Sequence, residues 1–236
     1  MAEAQPRAIL FDLDDTLLDD TGNFEQLWRD AVLDGARALP SADAEGLLAE
    51  IERVRVWYWS DPERHRQGRQ DLRAATRHIV ATAMKALGFD DPEVATRIAH
   101  DYRDRRDANL RLFPEAIETL ARVRATGIRT ALLTNGSAAA QRAKVERFGL
   151  APHFDAIFIE GEFGVGKPHE AVYRAALEAL RTAASEAWMV GDNLEWDVAA
   201  PQRLGVRGIW VDRHGRGLPP DAPARPTRII RHVGEL

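Results

Sequence analysis

The chain has 236 residues, 45% of them hydrophobic and 29% charged, with 32 basic against 37 acidic side chains and a net charge of −5. That length and composition fit one large or two small globular domains with a sizeable core, and the mild acidity argues against a nucleic-acid partner. There is no cysteine, so disulfides, thiolate metal sites and cysteine nucleophiles are excluded. No apolar run approaches the roughly 20 residues of a membrane span. No signal-peptide core follows the short polar segment 1–7, so a cytoplasmic location and no membrane partner are the default expectation.

The first strand signal is Ala8-Ile9-Leu10-Phe11, an apolar run that stops at Asp12. A helical region follows. Residues 24–38 and 42–59 have helical texture, and in the second Leu47, Ile51, Val54 and Tyr58 recur at helical spacing. Residues 66–87 repeat the pattern with Leu72, Ile79 and Ala83, and Gly88 is a stop signal. A fourth helix is expected over 92–108.

From Phe113 strands and helices alternate. The pattern predicts helix 114–125, strand 128–133, helix 138–148, strand 156–159, helix 169–181, strand 187–190, helix 194–204, strand 207–211 and a last strand at 228–230. Alternation of this kind predicts a parallel sheet with helices on both faces, a Rossmann-like α/β core. Strands that are apolar without alternation fit burial on both sides. The expected layout is an α/β core of residues 1–17 and 111–236, interrupted by a helical insert, 18–110.

Open parallel sheets bind ligands beyond the carboxyl ends of their strands. Those ends carry Asp12, Asp14 and Thr16; Thr134, Asn135 and Gly136; Lys167 within a glycine-rich loop; and Gly191, Asp192 and Asn193, with Asp197 five residues past Asp192. Alone, each aspartate reads as a turn or helix cap and Thr134-Asn135-Gly136 as a turn. Together they describe more. Carboxylates converging at strand ends repel one another unless a cation intervenes, and oxygen ligands suit Mg²⁺. A lysine and a hydroxyl facing the same cation suit a bridging anion, so the set describes a phosphoryl site.

The segments Phe11-Asp12-Leu13-Asp14-Asp15-Thr16-Leu17, Leu132-Leu133-Thr134-Asn135-Gly136, Lys167-Pro168 and Gly191-Asp192-Asn193-Leu194-Glu195-Trp196-Asp197 occur in that order. They resemble the four motifs of the haloacid dehalogenase-like (HAD) hydrolase superfamily, in the subgroup with a helical cap inserted after the first strand. The resemblance spans nearly the whole chain. It implies a Mg²⁺-dependent phosphomonoester hydrolase acting on a small phosphorylated metabolite, with Asp12 as nucleophile and Asp14 as acid and base. Thr134, Asn135, Gly136 and Lys167 would hold the phosphoryl group. Asp12, the backbone carbonyl of Asp14, and Asp192 would hold Mg²⁺, and Asp197 would orient Lys167 or a metal-bound water from behind.

Rival expectations follow from the same resemblance. Dehalogenases of the family lack a carboxylate two residues after the nucleophile, whereas Asp14 is present. Phosphonate hydrolases use a cap lysine, and the insert holds only Lys85. A sugar phosphomutase shares all four motifs. A non-catalytic binding module would be expected to lose Asp12 or Asp14, and neither is lost. Substrate selection would fall to the insert. There residues 53–77 hold seven arginines and three acids, and Arg66, Arg69, Arg73 and Arg77 are expected on one stripe of a single helix. Arg64 precedes them, and Trp57 or Trp59 is expected to reach a substrate. A solvated face is the plainer reading of the stripe. The seven scattered histidines are not expected as metal ligands.

Overall fold

A computed structural model of the protein describes residues 5–37 and 43–236. The described chain divides into two compact units: residues up to Asp19 together with Arg111–Leu236, and Asp20–Leu110. Among the described residues, no helix is long and apolar enough to cross a membrane.

The first unit is built on strands β1 (Ala8–Phe11), β4 (Arg129–Thr134), β5 (Ala156–Ile159), β6 (Ala187–Gly191), β7 (Arg207–Val211) and β8 (Arg228–Ile230), in the order β5-β4-β1-β6-β7-β8 and all parallel. Two two-residue strands, β2 (Leu18–Asp19) and β3 (Arg111–Leu112), pair antiparallel and carry the chain out of this unit and back. Alternation along β1 splits its side chains between two cores. Ile9 and Phe11 join Leu120 and Val123 of α6 (Ala116–Ala125), while Ala8 and Leu10 join Val172, Tyr173 and Ala176 of α9 (Glu170–Ala179). Helices thus cover both faces, which is why these strands read as continuous apolar runs. Beyond β4 lies α7 (Ala138–Arg147), N-capped by Ser137, and beyond β5 the short α8 (Glu160–Phe163). The chain runs from β1 outward to β4 and β5, then returns to β6 and onward to β8, so the strand order reverses at β1. The carboxyl end of β1 is therefore the crevice such sheets use for ligands.

The second unit contains α1 (Phe24–Ala36), α2 (Ala44–Ser60), α3 (Pro62–Gly68), α4 (Leu72–Ala86) and α5 (Pro92–Asn109) around one apolar core. Residues 38 and 42, where two expected helices end and begin, lie outside the described residues. The expected single helix 66–87 is two. Asp61 caps α3, accepting from the Arg64 N–H at 2.8 Å, and Asp71 caps α4, accepting from the Ala74 N–H at 2.9 Å. Two capping aspartates within ten residues outweigh the periodicity that joined the segments. The arginine stripe is broken accordingly: Arg66 lies on α3, Arg69 follows its last turn, and Arg73 and Arg77 lie on α4.

The expected helix 194–204 also differs. Residues Leu194–Ala199 wind with the wide pitch of a π-helix before a short α-helical turn, Ala200–Gln202. Pro201 has no N–H to give the carbonyl of Asp197, so a regular α-helical ladder cannot pass through it.

Close packing of α1 on α5 depends on Gly35. A Cβ at Gly35 on α1 would stand 2.1 Å from Cγ1 of Ile98 on α5. Gly35→Ala should lower stability by about 1–3 kcal/mol through overpacking, read as a drop in the denaturant midpoint. In an Ile98→Ala background, which lacks Cγ1, the same Gly35→Ala change should cost much less. Unchanged midpoints in the single variant would mean that α1 and α5 separate freely.

Candidate active site

β1 hands Asp12 to the carboxyl edge of the sheet, where the Asp12 N–H is still held by Val190 of β6 at 2.9 Å. The chain then turns tightly. Leu17 and Leu18 donate back to the carbonyl of Leu13, both at 2.9 Å, and Asp15 takes a left-handed φ of 58°. This turn seals Leu13 and Leu17 in the core and leaves the intervening polar residues at the sheet edge. Thr16, fully buried, donates its hydroxyl to Oδ2 of Asp12 at 3.1 Å.

The centre of the site is Lys167, with 2% of its side chain exposed. Its Nζ lies 2.7 Å from Oδ1 of Asp12 and 2.6 Å from Oδ1 of Asp197. Asn135, just past β4, holds the lysine's backbone in place: its Nδ2 donates to the Lys167 carbonyl at 2.7 Å, and the Lys167 N–H donates to its Oδ1 at 2.8 Å. Gly166 permits this approach, since a Cβ there would stand 2.5 Å from Oδ1 of Asn135.

Asp197 is reached through the π segment. Asn193 caps that segment, accepting from the N–H groups of Glu195 and Trp196, and its own N–H donates to Oδ2 of Asp197 at 3.0 Å. Gly191 is required here: a Cβ would lie 2.2 Å from Oδ2 of Asp197. Oδ1 of Asp197 is thus engaged by Lys167 and Oδ2 by the Asn193 N–H. Asp192 retains solvent exposure.

Like charge crowds this edge. Burial pushes the Asp12 carboxyl up to about 6, Lys167 opposes the rise and Asp197 reinforces it. Asp192 is pushed well above the carboxylate range by desolvation and by the charges of Asp12, Asp197 and Asp15. Burial works against the charge on Lys167, but Asp12 and Asp197 outweigh it and raise its pKa. One carboxylate oxygen from each of Asp12, Asp192 and Asp197 lies within 4.8 Å of the other two. Three carboxylates against one ammonium leave excess negative charge, and an all-oxygen donor set of this kind fits a hard divalent cation.

The residues expected to hold the phosphoryl group take different parts. The Thr134 hydroxyl is at the edge, buried, and accepts from Nε2 of Gln141. The Gly136 N–H is not open to a phosphate as expected. It donates to Oε2 of Glu160 at 2.9 Å, because β5 delivers that buried carboxylate directly beneath the turn. Three residues here were not expected from the sequence as site residues: Glu160, Gln141 and Lys144. The Lys144 ammonium meets Oδ1 of Asp14 at 2.7 Å, and Gln141 donates to Oδ2 of Asp14 at 2.9 Å. The one legible hint was that Lys144 is among only three lysines in the chain.

The residues proposed for substrate choice lie in the helical unit. Arg66 pairs with Glu63 at 2.6 Å and Arg73 with Asp104 at 2.5 Å, both in exposed positions. Arg69 meets Nδ1 of His65 at 3.1 Å. Trp59 packs edge-on against Tyr58, their ring centroids 4.9 Å apart, and against His65. Trp57 is 47% exposed, with the Arg64 guanidinium 4.0 Å over its ring. Arg64 is anchored there by donating to the carbonyls of Trp57 and Tyr58.

Residues 6–205 match the model of the haloacid dehalogenase-like hydrolase family. The chain is 37% identical to a phosphoserine phosphatase of Thermus thermophilus over 98% of its own length and 96% of the relative's. It is 30% identical to a glyceraldehyde 3-phosphate phosphatase of Methanocaldococcus jannaschii, over 85% of this chain and 82% of the relative. Among solved structures, the HAD-hydrolase YfnB of Bacillus subtilis shares the fold with a TM-score of 0.74 at 21% identity, covering 98% of this chain and 97% of that one. A 2-haloacid dehalogenase of Pseudomonas syringae superposes with a TM-score of 0.62 at 28% identity, over 97% and 95% of the two chains. With its family match, its phosphatase relatives and a buried lysine joining three strand-end motifs, this chain belongs to the haloacid dehalogenase-like hydrolases.

Proposed function

We propose that the enzyme hydrolyses a small phosphorylated metabolite in two steps through an aspartyl-phosphate on Asp12. The observation that carries this reading is the shared bond of Lys167 to Asp12 and Asp197, together with Asp14 held two residues beyond the nucleophile. As a phosphoric monoester hydrolase the enzyme is in keeping with its phosphatase relatives. A carboxylic acid at Asp14 serves an oxygen leaving group, whereas a halide leaves without a proton.

Asp12 and Asp192, with the backbone carbonyl of Asp14, are the residues that would hold Mg²⁺. When bound, the cation offsets the charge that otherwise sets carboxylates against an anionic phosphate. In the first step an oxygen of Asp12 bonds to phosphorus, the ester P–O bond breaks, and the leaving oxygen takes a proton from Asp14. In the second, Asp14 removes a proton from water, the hydroxide oxygen bonds to phosphorus, and Asp12 is released with inorganic phosphate. Lys167 neutralises charge on both Asp12 and the transferred group, and the Thr134 hydroxyl donates to a phosphoryl oxygen. Asp197 keeps Lys167 aimed. Within the helical unit, Trp57 with Arg64 stacked on it is a better candidate for substrate choice than the ion-paired Arg66 and Arg73.

Asp12→Asn should abolish turnover while leaving circular dichroism unchanged, and wild type quenched during turnover should carry phosphate on Asp12 by mass spectrometry. Continued turnover by Asp12→Asn overturns the assignment. Lys167→Arg should lose about 10²-fold or more in kcat, because a planar fork cannot replace a compact ammonium between two buried carboxylates. Near-normal kcat would mean that the position needs charge alone.

Mg²⁺ should raise the melting temperature. At a hundred times its dissociation constant the gain is about 2.7 kcal/mol, or roughly 5–10 °C for a chain of this size. Asp192→Asn should remove most of that rise and should itself melt higher than wild type in chelator, since it deletes one of the crowded charges. A melting curve indifferent to Mg²⁺ counts against a cation at this edge.

A further inference from the structure

The four motifs account for Asp12, Asp14, Thr134, Lys167, Asp192 and Asp197, but not for what holds the Asp14 side chain. Asp14 follows a tight turn, and its side chain has 28% exposure. A proton-transfer carboxylate must be held near its productive geometry by other groups. Here both of its oxygens are engaged by a single helix. Nζ of Lys144 lies 2.7 Å from Oδ1, and Nε2 of Gln141 lies 2.9 Å from Oδ2. Gln141 and Lys144 are three residues apart on α7, so they share one face. The helix starts at the Ser137 cap, directly after the Thr134 strand end.

Gln141 is 3% exposed, and the Lys144 side chain 11%. Burying a long polar side chain without hydrogen bonds is costly, so their orientation toward Asp14 is fixed by that need. The same Nε2 of Gln141 also donates to the Thr134 hydroxyl. One amide therefore links the carboxylate that serves the leaving oxygen to the hydroxyl that faces the phosphoryl group. This link fixes the spacing between the Asp14 carboxylate and the Thr134 hydroxyl.

We propose that Lys144 and Gln141 are positioning residues for Asp14, setting the line along which it exchanges a proton with the leaving oxygen, with Gln141 also keying that line to Thr134. The inference rests on the phosphatase reading above. It makes a demand that a purely structural role does not: the two residues matter in proportion to how much the leaving group needs a proton. An alkoxide leaving group needs one. A p-nitrophenolate does not.

The test compares kcat/KM for glycerol 1-phosphate and p-nitrophenyl phosphate in wild type, Lys144→Met, Gln141→Leu and Asp14→Asn, each first checked for an unchanged melting temperature. The alkyl-to-aryl ratio should fall by about 10-fold or more in Lys144→Met. General acid catalysis as a whole is worth roughly 10²–10⁴-fold, and misaiming forfeits part of it. Asp14→Asn should lower the ratio further. Gln141→Leu should lower the ratio and also raise KM for both esters, because Thr134 loses its partner. Should Gln141→Leu unfold, Gln141→Met keeps the length of the side chain and serves in its place. A ratio equal to wild type in Lys144→Met and in the Gln141 variant overturns the inference, as does an equal rise in KM for both esters in Lys144→Met, which would make that lysine a direct phosphate ligand. Failure of the underlying phosphatase reading has a different signature: wild type cleaves neither ester, or Asp12→Asn cleaves both.

Discussion

The active edge depends on a buried ammonium shared between two carboxylates. Lys167 lies within 2.7 Å of Asp12 and within 2.6 Å of Asp197, and each of the three would be costly to bury by itself. Their mutual neutralisation lets the sheet carry charge at its centre. It also ties together three strand ends that are remote in sequence: β1 through Asp12, the loop after β5 through Lys167, and the segment after β6 through Asp197. Asn135, after β4, braces the lysine's backbone from the fourth. The glycines at 166 and 191 follow from the same requirement, since a side chain at either would occupy the space the pair needs.

That neutralisation is incomplete, and negative charge is left over at the sheet edge. Asp192 adds a further carboxylate beside Asp12 and Asp197, and desolvation together with their like charge raises its pKa. A site in this state favours a cation and, with the cation, an anion. The strain of crowding is tolerated because the surrounding unit is a six-stranded parallel sheet covered on both faces, whose apolar cores at Ile9 and Phe11 on one side and Leu10 and Tyr173 on the other hold the strand ends in register.

The helical unit meets its own charges differently. Its arginine-rich stretch is tied off locally: Arg53 to Glu50, Arg55 to Glu52, Arg66 to Glu63 and Arg73 to Asp104. Exposed pairs of this kind contribute little stability each, but they reduce the local positive excess that the sequence displays. The stacked Arg64 and Trp57 differ, because there the guanidinium is held by backbone carbonyls and an aromatic face instead of an acid.

The sequence by itself determined the alternating strands and helices of the sheet unit, the helical texture of the insert, and the strand-end positions of Asp12, Asp14, Thr134, Lys167, Asp192 and Asp197. These were legible because strand ends in a parallel sheet converge, so local pattern was enough to nominate their residues. Tertiary structure decided the rest. The breaks at 69–71 and 199–201 turned on side-chain caps and a missing N–H, which periodicity does not weigh. Glu160 took the Gly136 N–H, and Gln141 and Lys144 took Asp14, because buried polar groups find partners by proximity in space. Gln141 and Asp14 are 127 residues apart in the chain, and no local pattern encodes which distant donor a folded helix will bring within 3 Å.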